Sequence, residues 1–435
     1  MKISRFIAVL LLFLLGLFLL LHNYAIYPQR GATGDEYAFA FLGTSLLTHG
    51  EPTSWSHFEV YTNRHDIVID KMFFPIVTPY LDHPPLFGLM VGGLALLAGE
   101  NSFEAIKLST IRLVSITLTA ISSFFVFLIG NRLFGFKTGL WTLLIFTTTT
   151  IFVINARMVV AETLVTTLLL ATIYAYIRFG KTLTEKRLLL LGLLCGLAFL
   201  SKVAGVVVFF SLLYFLIEDN GKVQKLTMFA IPFFILLLSL VGYGLFFGGE
   251  LFWKIQMLQG ARHIGPENFW IILTTPIIVN KVVSDGWYIL GFISLFLCFL
   301  DYQKYRLVII PALFYLLFLV SSLTIEGRQG WYFLPLFPLM ALAIAAQLSE
   351  SIRSKNWYIL LFLLVIGMYQ MQYIYEASFG LVPIRFRILT LLIFILPLVS
   401  HLFKREKAFR WVSQFWFYLF ILGNVFLTWN YVHPA

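Results

Sequence analysis

Two acid-bearing motifs contain the residues of this chain that are best suited to chemistry. The first motif, GDEYAFAFLGTSLLTHG, carries Asp35 and Glu36, and the second, TPYLDHPPLF, carries Asp82 and His83. A positioned carboxylate can accept the proton of an attacking hydroxyl group, and a histidine can contact a phosphate or a sugar. Each motif directly adjoins an apolar run, so we expect both at one face of a membrane. That face is the candidate active site.

The first motif also has a purely structural interpretation. Residues 33–36 match a capping box, in which the Glu36 carboxylate bonds to the backbone N–H of Thr33 and only starts a helix. Adjacent helical residues point in different directions, so one acid can cap the helix while the other faces a cleft. The helix N-terminus favours an ionised carboxylate, which a base needs. We predict that Asp35 is catalytic and leave both interpretations open for Glu36.

The composition indicates a polytopic membrane protein. Of 435 residues, 60% are hydrophobic and 12% are charged, against about 25% charged residues in soluble proteins. The first apolar run follows Lys2 and Arg5 without a later small-residue cleavage site, so we interpret it as a retained span rather than a signal peptide. Cys195 and Cys298 lie inside apolar runs, which argues against disulfides and thiolate metal sites. The net charge of +10 comes from cations scattered between the runs, so we expect no nucleic-acid partner.

The apolar runs predict an all-α bundle of about thirteen transmembrane helices. The runs are residues 6–22, 109–130, 138–155, 159–177, 188–201, 203–217, 227–247, 286–300, 307–323, 331–348, 357–374, 386–403 and 411–430. With a cytoplasmic N-terminus, most Lys and Arg residues fall in short inside loops, as the positive-inside rule requires. We therefore expect a multi-pass protein of the plasma (inner) membrane with an extracytoplasmic active site.

This topology leaves two large outside segments, residues 23–108 and 248–284. In the first segment we predict a surface helix over 35–49 that stops at Gly50, loop and short strands over 51–80, and a second surface or re-entrant helix from Leu86 to Ala98. Residues 1–348 would form one transmembrane module that contains both outside segments. Residues 349–435 would add transmembrane helices without a separate soluble domain.

Further charged residues fall at the same outside face by this topology. They are Arg157, Glu162, Lys202, Arg262, Glu326, Arg328, Arg385 and Arg387. Lys202 reaches this face because it splits the apolar run 188–217 into two spans, which avoids a costly lysine in mid-membrane. Outside cations oppose the positive-inside trend, and a phosphate at the membrane surface would explain them. The alternative is that they extend toward lipid headgroups or cap helix ends.

Five sequence motifs together resemble one known family. They are the Asp-Glu pair after the first span, the DHPPL motif, RMVVAE at 157–162, GLAFLSK at 196–202 and RQGWYFLPLFPLMAL at 328–342. In this order they resemble the bacterial transferases related to aminoarabinose transferase and protein O-mannosyltransferase, which are membrane glycosyltransferases of the GT-C fold. The resemblance covers roughly residues 1–345.

The resemblance implies a polyprenyl-phosphate-linked monosaccharide as donor, transfer at the extracytoplasmic face and inversion at the anomeric carbon. It implies that Asp35 is the catalytic carboxylate, with Glu36 beside it, and that Asp82 and His83 lie near the acceptor and the donor phosphate. The aminoarabinose transferases usually carry lysine in place of His83, so a permanent charge is in doubt at this position.

The chemistry of the donor gives the remaining roles. A phosphate leaves without needing a proton, so one carboxylate is enough to activate the acceptor. Cations must stabilise the departing phosphate, and we predict Lys202, Arg262 and Arg328, near Tyr332, for this task, with Arg157 and Glu162 in the acceptor or supporting shell. No obligatory cofactor is expected, although a divalent cation is possible.

The expected partners are membrane lipids, the lipid-linked donor and an acceptor. Many family members carry a soluble domain after the last span, for which this chain has no room, so we expect a lipid-anchored or glycan acceptor, as in modification of lipopolysaccharide or glycolipids of the cell envelope. Two other functions stay open at this point. A transporter or flippase of lipid-linked sugars would need polar residues at mid-depth, and a scaffold subunit would not need Asp35 or Asp82.

Overall fold

The computed structural model describes most of the chain. The described residues are 3–29, 32–69, 72–180, 182–219, 222–261, 266–283, 285–323, 329–354, 358–374 and 383–433. Within these ranges the chain forms seventeen α-helices and five short strands.

The helices are α1 (Ile3–Leu21), α2 (Asp35–His49), α3 (Pro85–Leu97), α4 (Leu108–Phe134), α5 (Phe136–Thr148), α6 (Thr150–Asn155), α7 (Glu162–Phe179), α8 (Glu185–Ser201), α9 (Val206–Glu218), α10 (Val223–Gly260), α11 (Pro266–Thr274), α12 (Gly286–Leu300), α13 (Tyr302–Ser322), α14 (Phe337–Ser354), α15 (Tyr358–Ile374), α16 (Pro383–Leu402) and α17 (Glu406–Trp429). The strands are β1 (Ser54–Trp55), β2 (Arg64–Ile69), β3 (Met72–Val77), β4 (Ile277–Ile278) and β5 (Lys281–Val282).

The helical content and the apolar lengths confirm a mostly helical, multi-pass membrane protein. Within the described ranges, five helices are long and apolar enough to cross a membrane by length and composition: α1, α4, α10, α13 and α17. Helices occupy all thirteen predicted apolar runs, but several are shorter than a full crossing of about twenty residues. The count of thirteen spans therefore stays a prediction.

The first outside segment folds as its sequence pattern predicts. Helix α2 ends at Gly50, whose φ of 72° is the left-handed conformation that suits glycine at a helix C-terminus. Strands β1, β3 and β2 form an antiparallel sheet in that order. Helices α2 and α3 cross closely, because a Cβ atom at Gly43 would lie 1.8 Å from the Gly88 carbonyl oxygen. The small residues thus let the two motif-bearing helices touch along their backbones.

The described part of residues 248–284 contains helices and strands that we did not predict from the sequence. Helix α10 does not stop near residue 247 but continues to Gly260 across a kink at Gly248. Helix α11 and the two-stranded β4–β5 sheet follow it. The extra turns of α10 place glutamine side chains beside the second acidic motif, as described below.

The C-terminal helices pack on the rest of the bundle. Helix α15 contacts α12, and α17 contacts α5 and α6. Buried polar side chains join these helices at the break between α5 and α6: the Gln370 amide donates to Asn424, and the Asn424 amide donates to Thr149 Oγ1. Thr149, a polar residue inside a predicted apolar run, is thus engaged in helix packing.

Candidate functional site

A cavity of about 270 Å³ lies between the second acidic motif and the ends of α8, α10 and α13. Its polar lining includes Asp82, His83, Glu162, Lys202 and Tyr332, all of which the sequence singled out. The remaining lining comprises Pro84, Val203, Ala204, Gln256, Gln259, Gly260, Tyr315, Phe318, Leu319, Ser322 and Leu323. Residues from six separate parts of the chain therefore converge on one small, partly apolar chamber.

Asp35 begins α2 and is half-buried. Its backbone N–H donates to Thr33 Oγ1 at 3.2 Å. The preceding Gly34 is held by Trp55, whose indole N–H donates to the Gly34 carbonyl at 2.8 Å. The negative charge of Asp35 acts on Tyr80 and on three groups of the cavity wall, Asp82, Glu162 and Lys202. Asp35 therefore lies within electrostatic reach of the cavity's acids and its lysine.

Asp82 is buried in a hydrogen-bond network that holds the second motif in place. Ser56 Oγ donates to Asp82 Oδ2 and Tyr61 Oη donates to Asp82 Oδ1, both at 2.6 Å. The Gln259 amide donates to the Asp82 carbonyl at 2.6 Å. Asp82 thus connects the loop around β1 with the long helix α10.

The same burial determines how Asp82 titrates. Desolvation raises the pKa of the Asp82 carboxyl to about 6, although the hydroxyls of Ser56 and Tyr61 favour the ionised form, and the Asp35 charge raises this pKa further. Burial and the adjacent Asp82 also raise the pKa of Tyr61, so its hydroxyl stays a donor.

His83 packs against an aromatic side chain of the first motif. Its ring stacks on Phe39 of α2, with centroids 5.0 Å apart and planes inclined by 20°. It also lines the cavity. Stacking on a buried phenyl ring fixes the imidazole plane, so one edge of His83 is presented in a defined direction.

Glu162 and Lys202 form an ion pair in the cavity wall. Lys202 Nζ lies 2.5 Å from Glu162 Oε1, and the side chains are 21% and 1% exposed, respectively. The second carboxylate oxygen of Glu162 is buried and has no hydrogen-bond partner among the described residues. The Lys202 ammonium also lies over the Tyr332 ring, 4.8 Å from its centroid. This cation is therefore held by one oxygen and one ring, with part of its surface still accessible.

A short helical turn at Gly330–Phe333 places Tyr332 in this position. A Cβ atom at Gly330 would lie 2.4 Å from Asn155 Oδ1 and 2.5 Å from the Ile277 carbonyl oxygen, so only glycine fits here. The Gly330 N–H donates to Val279 at 2.7 Å. Strand β4, which sequence reasoning missed, thus supports the turn that carries Tyr332.

Glu36 points away from the cavity into a second buried ion pair. Its two oxygens accept from Arg112 Nε and Nη2, each at 2.8 Å, and Oε1 also accepts from the Val159 N–H at 3.0 Å. Glu36 and Arg112 are 1% and 0% exposed. The capping-box interpretation is wrong in its geometry, because α2 has no side-chain cap and the Glu36 carboxylate is directed to α4. Arg112 satisfies this acid more fully than a backbone cap could.

The cavity lining does not include the other described cations that the sequence predicted at this face. Arg157 is 1% exposed and donates to the Leu19 carbonyl at 2.6 Å, beside α1. Arg385 and Arg387 are exposed on α16. Arg262 and Arg328 lie outside the described residues, as does Glu326.

Several residues that line the cavity or bond to Asp82 had no signal strong enough to be found from the sequence. Ser56, Tyr61, Gln256 and Gln259 belong to polar stretches with many similar candidates. Arg112 was detectable in principle, because an ionisable residue inside an apolar run calls for a buried partner. In the described part of the chain, no group of three or more His, Cys, Asp or Glu side chains is placed to hold a metal ion.

Comparison with known proteins gives a family match over part of the chain and a fold match over nearly all of it. Residues 82–243 match the family model described as dolichyl-phosphate-mannose-protein mannosyltransferase. No curated protein sequence matches the chain significantly.

Two solved structures have the same fold. ArnT from Cupriavidus metallidurans, crystallised with undecaprenyl phosphate, is 12% identical with a TM-score of 0.58, over 98% of this chain and 78% of that chain. The archaeal oligosaccharyltransferase AglB from Archaeoglobus fulgidus, in complex with an inhibitory peptide and a dolichol-phosphate, is 11% identical with a TM-score of 0.53. That match covers 100% of this chain and 57% of AglB. At these identities the two structures establish the fold alone.

Proposed function

We propose that this chain is a membrane glycosyltransferase of the dolichyl-phosphate-mannose-protein mannosyltransferase family, whose model matches residues 82–243, and that it carries out its sugar transfer at the cavity lined by Lys202. The family uses polyprenyl-phosphate-sugar donors. The observation that carries this proposal is a held but accessible ammonium group, Lys202, in the wall of one small chamber, within electrostatic reach of the half-buried Asp35 carboxylate. A transferase that separates a sugar from a phosphate needs a base on one side and a cation on the other.

In this proposal Asp35 is the catalytic base. Its carboxylate takes the proton of the acceptor hydroxyl while the acceptor oxygen attacks the anomeric carbon. The bond from that carbon to the phosphate oxygen breaks, and its electron pair stays on the departing polyprenyl phosphate. Attack from the side opposite to the phosphate inverts the anomeric centre. Glu36 has a supporting role, since Arg112 and Val159 occupy its carboxylate.

Lys202 is the cation that receives the developing phosphate charge. Its pairing with Glu162 and its stacking on Tyr332 fix the ammonium before substrate arrives, which is the condition for efficient electrostatic stabilisation. His83, at the other side of the cavity, contacts the phosphate or the sugar. Arg262 and Arg328 remain predicted phosphate ligands from the sequence. Arg157 is proposed to support the bundle rather than to contact substrate, because it bonds to α1.

The acceptor is proposed to be lipid-anchored or a glycan. The supporting feature is the part of the cavity wall that is apolar along Phe318, Leu319 and Leu323.

We also propose thirteen crossings with the cavity at the extracytoplasmic face. The number of crossings and the orientation follow from the loop charges of the sequence and from the positions of the helices in the predicted runs.

The experiment compares cells that carry the wild-type chain, Asp35→Asn or Asp66→Asn. Asp66 is an exposed acid on β2 of the same segment, paired with Arg64, so its substitution makes the same chemical change away from the cavity. Mass spectrometry of envelope glycans and lipid-linked sugars should show one acceptor losing a single monosaccharide in Asp35→Asn alone. An unchanged acceptor with Asp35→Asn present at wild-type membrane levels would reject Asp35 as the base.

A further inference from the structure

A second cavity, of about 530 Å³, lies at the opposite end of the bundle from the proposed active site. Helix α13 connects the two: Lys304 and Tyr305 at its N-terminus line this cavity, and Tyr315 to Ser322 near its C-terminus line the first one. A helix of 21 residues is about 30 Å long. Since α13 is long and apolar enough to span a membrane, the two cavities belong to opposite membrane faces.

The second cavity is basic. Its lining carries Lys137, Lys304, Arg353 and Arg410 against one carboxylate, Glu350. Four cations and one anion leave a formal charge of +3. The residues come from the ends of α5, α13, α14 and α17, so the charge is collected from separate helices rather than from one basic stretch of sequence.

The single acid is already engaged. Glu350 accepts from the Lys304 ammonium and, at 2.7 Å, from the Tyr305 hydroxyl. Lys137 lies over the Trp141 ring, 4.7 Å from its centroid. Neither Lys137 nor Arg410 forms a salt bridge with any residue that the structure describes. The excess positive charge therefore has no counter-ion in the described protein.

The rest of the lining combines polar and apolar groups. Thr138 and Ser349 share a hydrogen bond of 2.9 Å on the cavity wall. Leu133, Phe134 and Ile352 provide apolar surface beside them. A ligand that combines a phosphate with hydrocarbon would satisfy both parts of this lining, whereas a free phosphate ion would use only the cations.

We propose that this cavity binds the phosphate headgroup of an anionic phospholipid, in the leaflet opposite to the proposed active site. Arg and Lys pair strongly with phosphate oxygens, and basic pockets between the ends of membrane helices are suited to anionic headgroups. On the orientation proposed above, this leaflet is the cytoplasmic one. The headgroup supplies the missing counter-ion and links α5, α13, α14 and α17 at their cytoplasmic ends.

The test titrates the purified full-length protein with phosphatidylglycerol, phosphatidylcholine or inorganic phosphate and counts bound molecules by native mass spectrometry. The variant is Lys137→Gln/Arg410→Gln. The matched control is Lys222→Gln/Lys225→Gln, which removes two exposed lysines at the N-terminus of α10, at the same face but outside the cavity. Since each basic residue near an anionic membrane surface has a substantial effect on affinity, we expect the variant to weaken phosphatidylglycerol binding about tenfold or more and the control to leave it nearly unchanged.

Three results would overturn the proposal. Equal binding of phosphatidylglycerol and phosphatidylcholine would show that the charge of the headgroup does not determine binding. An equal loss in the variant and the control would assign the effect to general surface charge. Saturable binding of inorganic phosphate that displaces phosphatidylglycerol would assign the site to a free ion. Because the assay measures lipid binding and not sugar transfer, its outcome is independent of the proposed active site.

Discussion

Two buried ion pairs lie near the first acidic motif, and they differ in what they leave unsatisfied. Glu36 and Arg112 form a two-pronged pair in which both side chains are inaccessible, and the Val159 N–H adds a third contact. Glu162 and Lys202 meet through a single oxygen at a cavity, and Lys202 keeps 21% of its side-chain surface exposed. The first pair is saturated by protein groups and suits a structural role. The second retains capacity for a ligand.

Two matched double variants test most directly whether the two ion pairs differ in function. Glu162→Gln/Lys202→Met and Glu36→Gln/Arg112→Met each remove one buried pair without leaving an unpaired charge, a change that is often tolerated in stability. We expect the first to lower the rate of sugar transfer about 10²–10³-fold, as the loss of one preorganised charge-stabilising donor does. The second should retain transfer within a few-fold. The readout is transfer per folded protein after size-exclusion chromatography, and equal losses in both variants would contradict the distinction.

Single substitutions should affect stability in the opposite order: Arg112→Met should destabilise the fold more than Lys202→Met. Arg112→Met leaves Glu36 as an unpaired buried charge, which costs about 3–5 kcal/mol. Lys202→Met should cost less, because Glu162 borders a cavity that can admit water. We expect the apparent thermal unfolding midpoint in detergent to fall further for Arg112→Met. A greater loss for Lys202→Met would show that the pair at the cavity is the structural one.

Asp82, which lines the same cavity as Glu162 and Lys202, should make the free energy of unfolding depend on pH. Its folded pKa of about 6 lies above the ordinary value of an aspartate, so the folded chain binds more protons than the unfolded chain between about pH 4 and pH 6. Its contribution to stability is present below this range and decreases as the pH rises through it, by about 1–3 kcal/mol. Asp82→Asn should flatten this part of the profile of unfolding midpoint against pH. If Asp82→Asn leaves the slope of the unfolding midpoint against pH unchanged, titratable groups other than Asp82 determine the pH dependence.

The smallest expected effect concerns His83. If this residue contacts the donor phosphate, His83→Ala should raise the KM for donor about tenfold, the value of one hydrogen bond to a charged group, with little change in kcat. His83→Lys should restore the KM, because a lysine also pairs with phosphate. Steady-state kinetics at pH 7 distinguishes the outcomes, and a KM that is equal in His83→Ala and wild type would place the phosphate elsewhere.

The sequence was sufficient for elements whose pattern is local. Apolar runs marked the positions of the long helices, and Gly50 marked the end of α2 because a left-handed residue commonly ends a helix. The two acidic motifs and Lys202 were found because charged residues are rare in this chain and therefore conspicuous. The convergence of Asp82, Glu162, Lys202 and Tyr332 on one cavity is consistent with their predicted placement at one face.

The hydrogen-bond partners of Glu36 and Asp82 could not be predicted from local sequence patterns. Glu36 and Arg112 are 76 residues apart, and nothing local indicates that Arg112 satisfies this acid instead of a backbone cap. The hydroxyls on Asp82 come from Ser56 and Tyr61, in a loop with several equivalent donors. Whether Glu36 is bound to an arginine or caps a helix depends on such distant contacts, and tertiary packing alone determines them.

The most direct test of the central claim measures donor turnover by purified protein. Wild type, Asp35→Asn and Asp66→Asn are incubated with a lipid extract that contains polyprenyl-phosphate sugars and acceptors, and mass spectrometry follows both lipid products. We predict that wild type and Asp66→Asn convert one donor to free polyprenyl phosphate with gain of the same sugar on one acceptor, and that Asp35→Asn is slower by about 10²-fold or more. Turnover by Asp35→Asn at the wild-type rate would contradict the account.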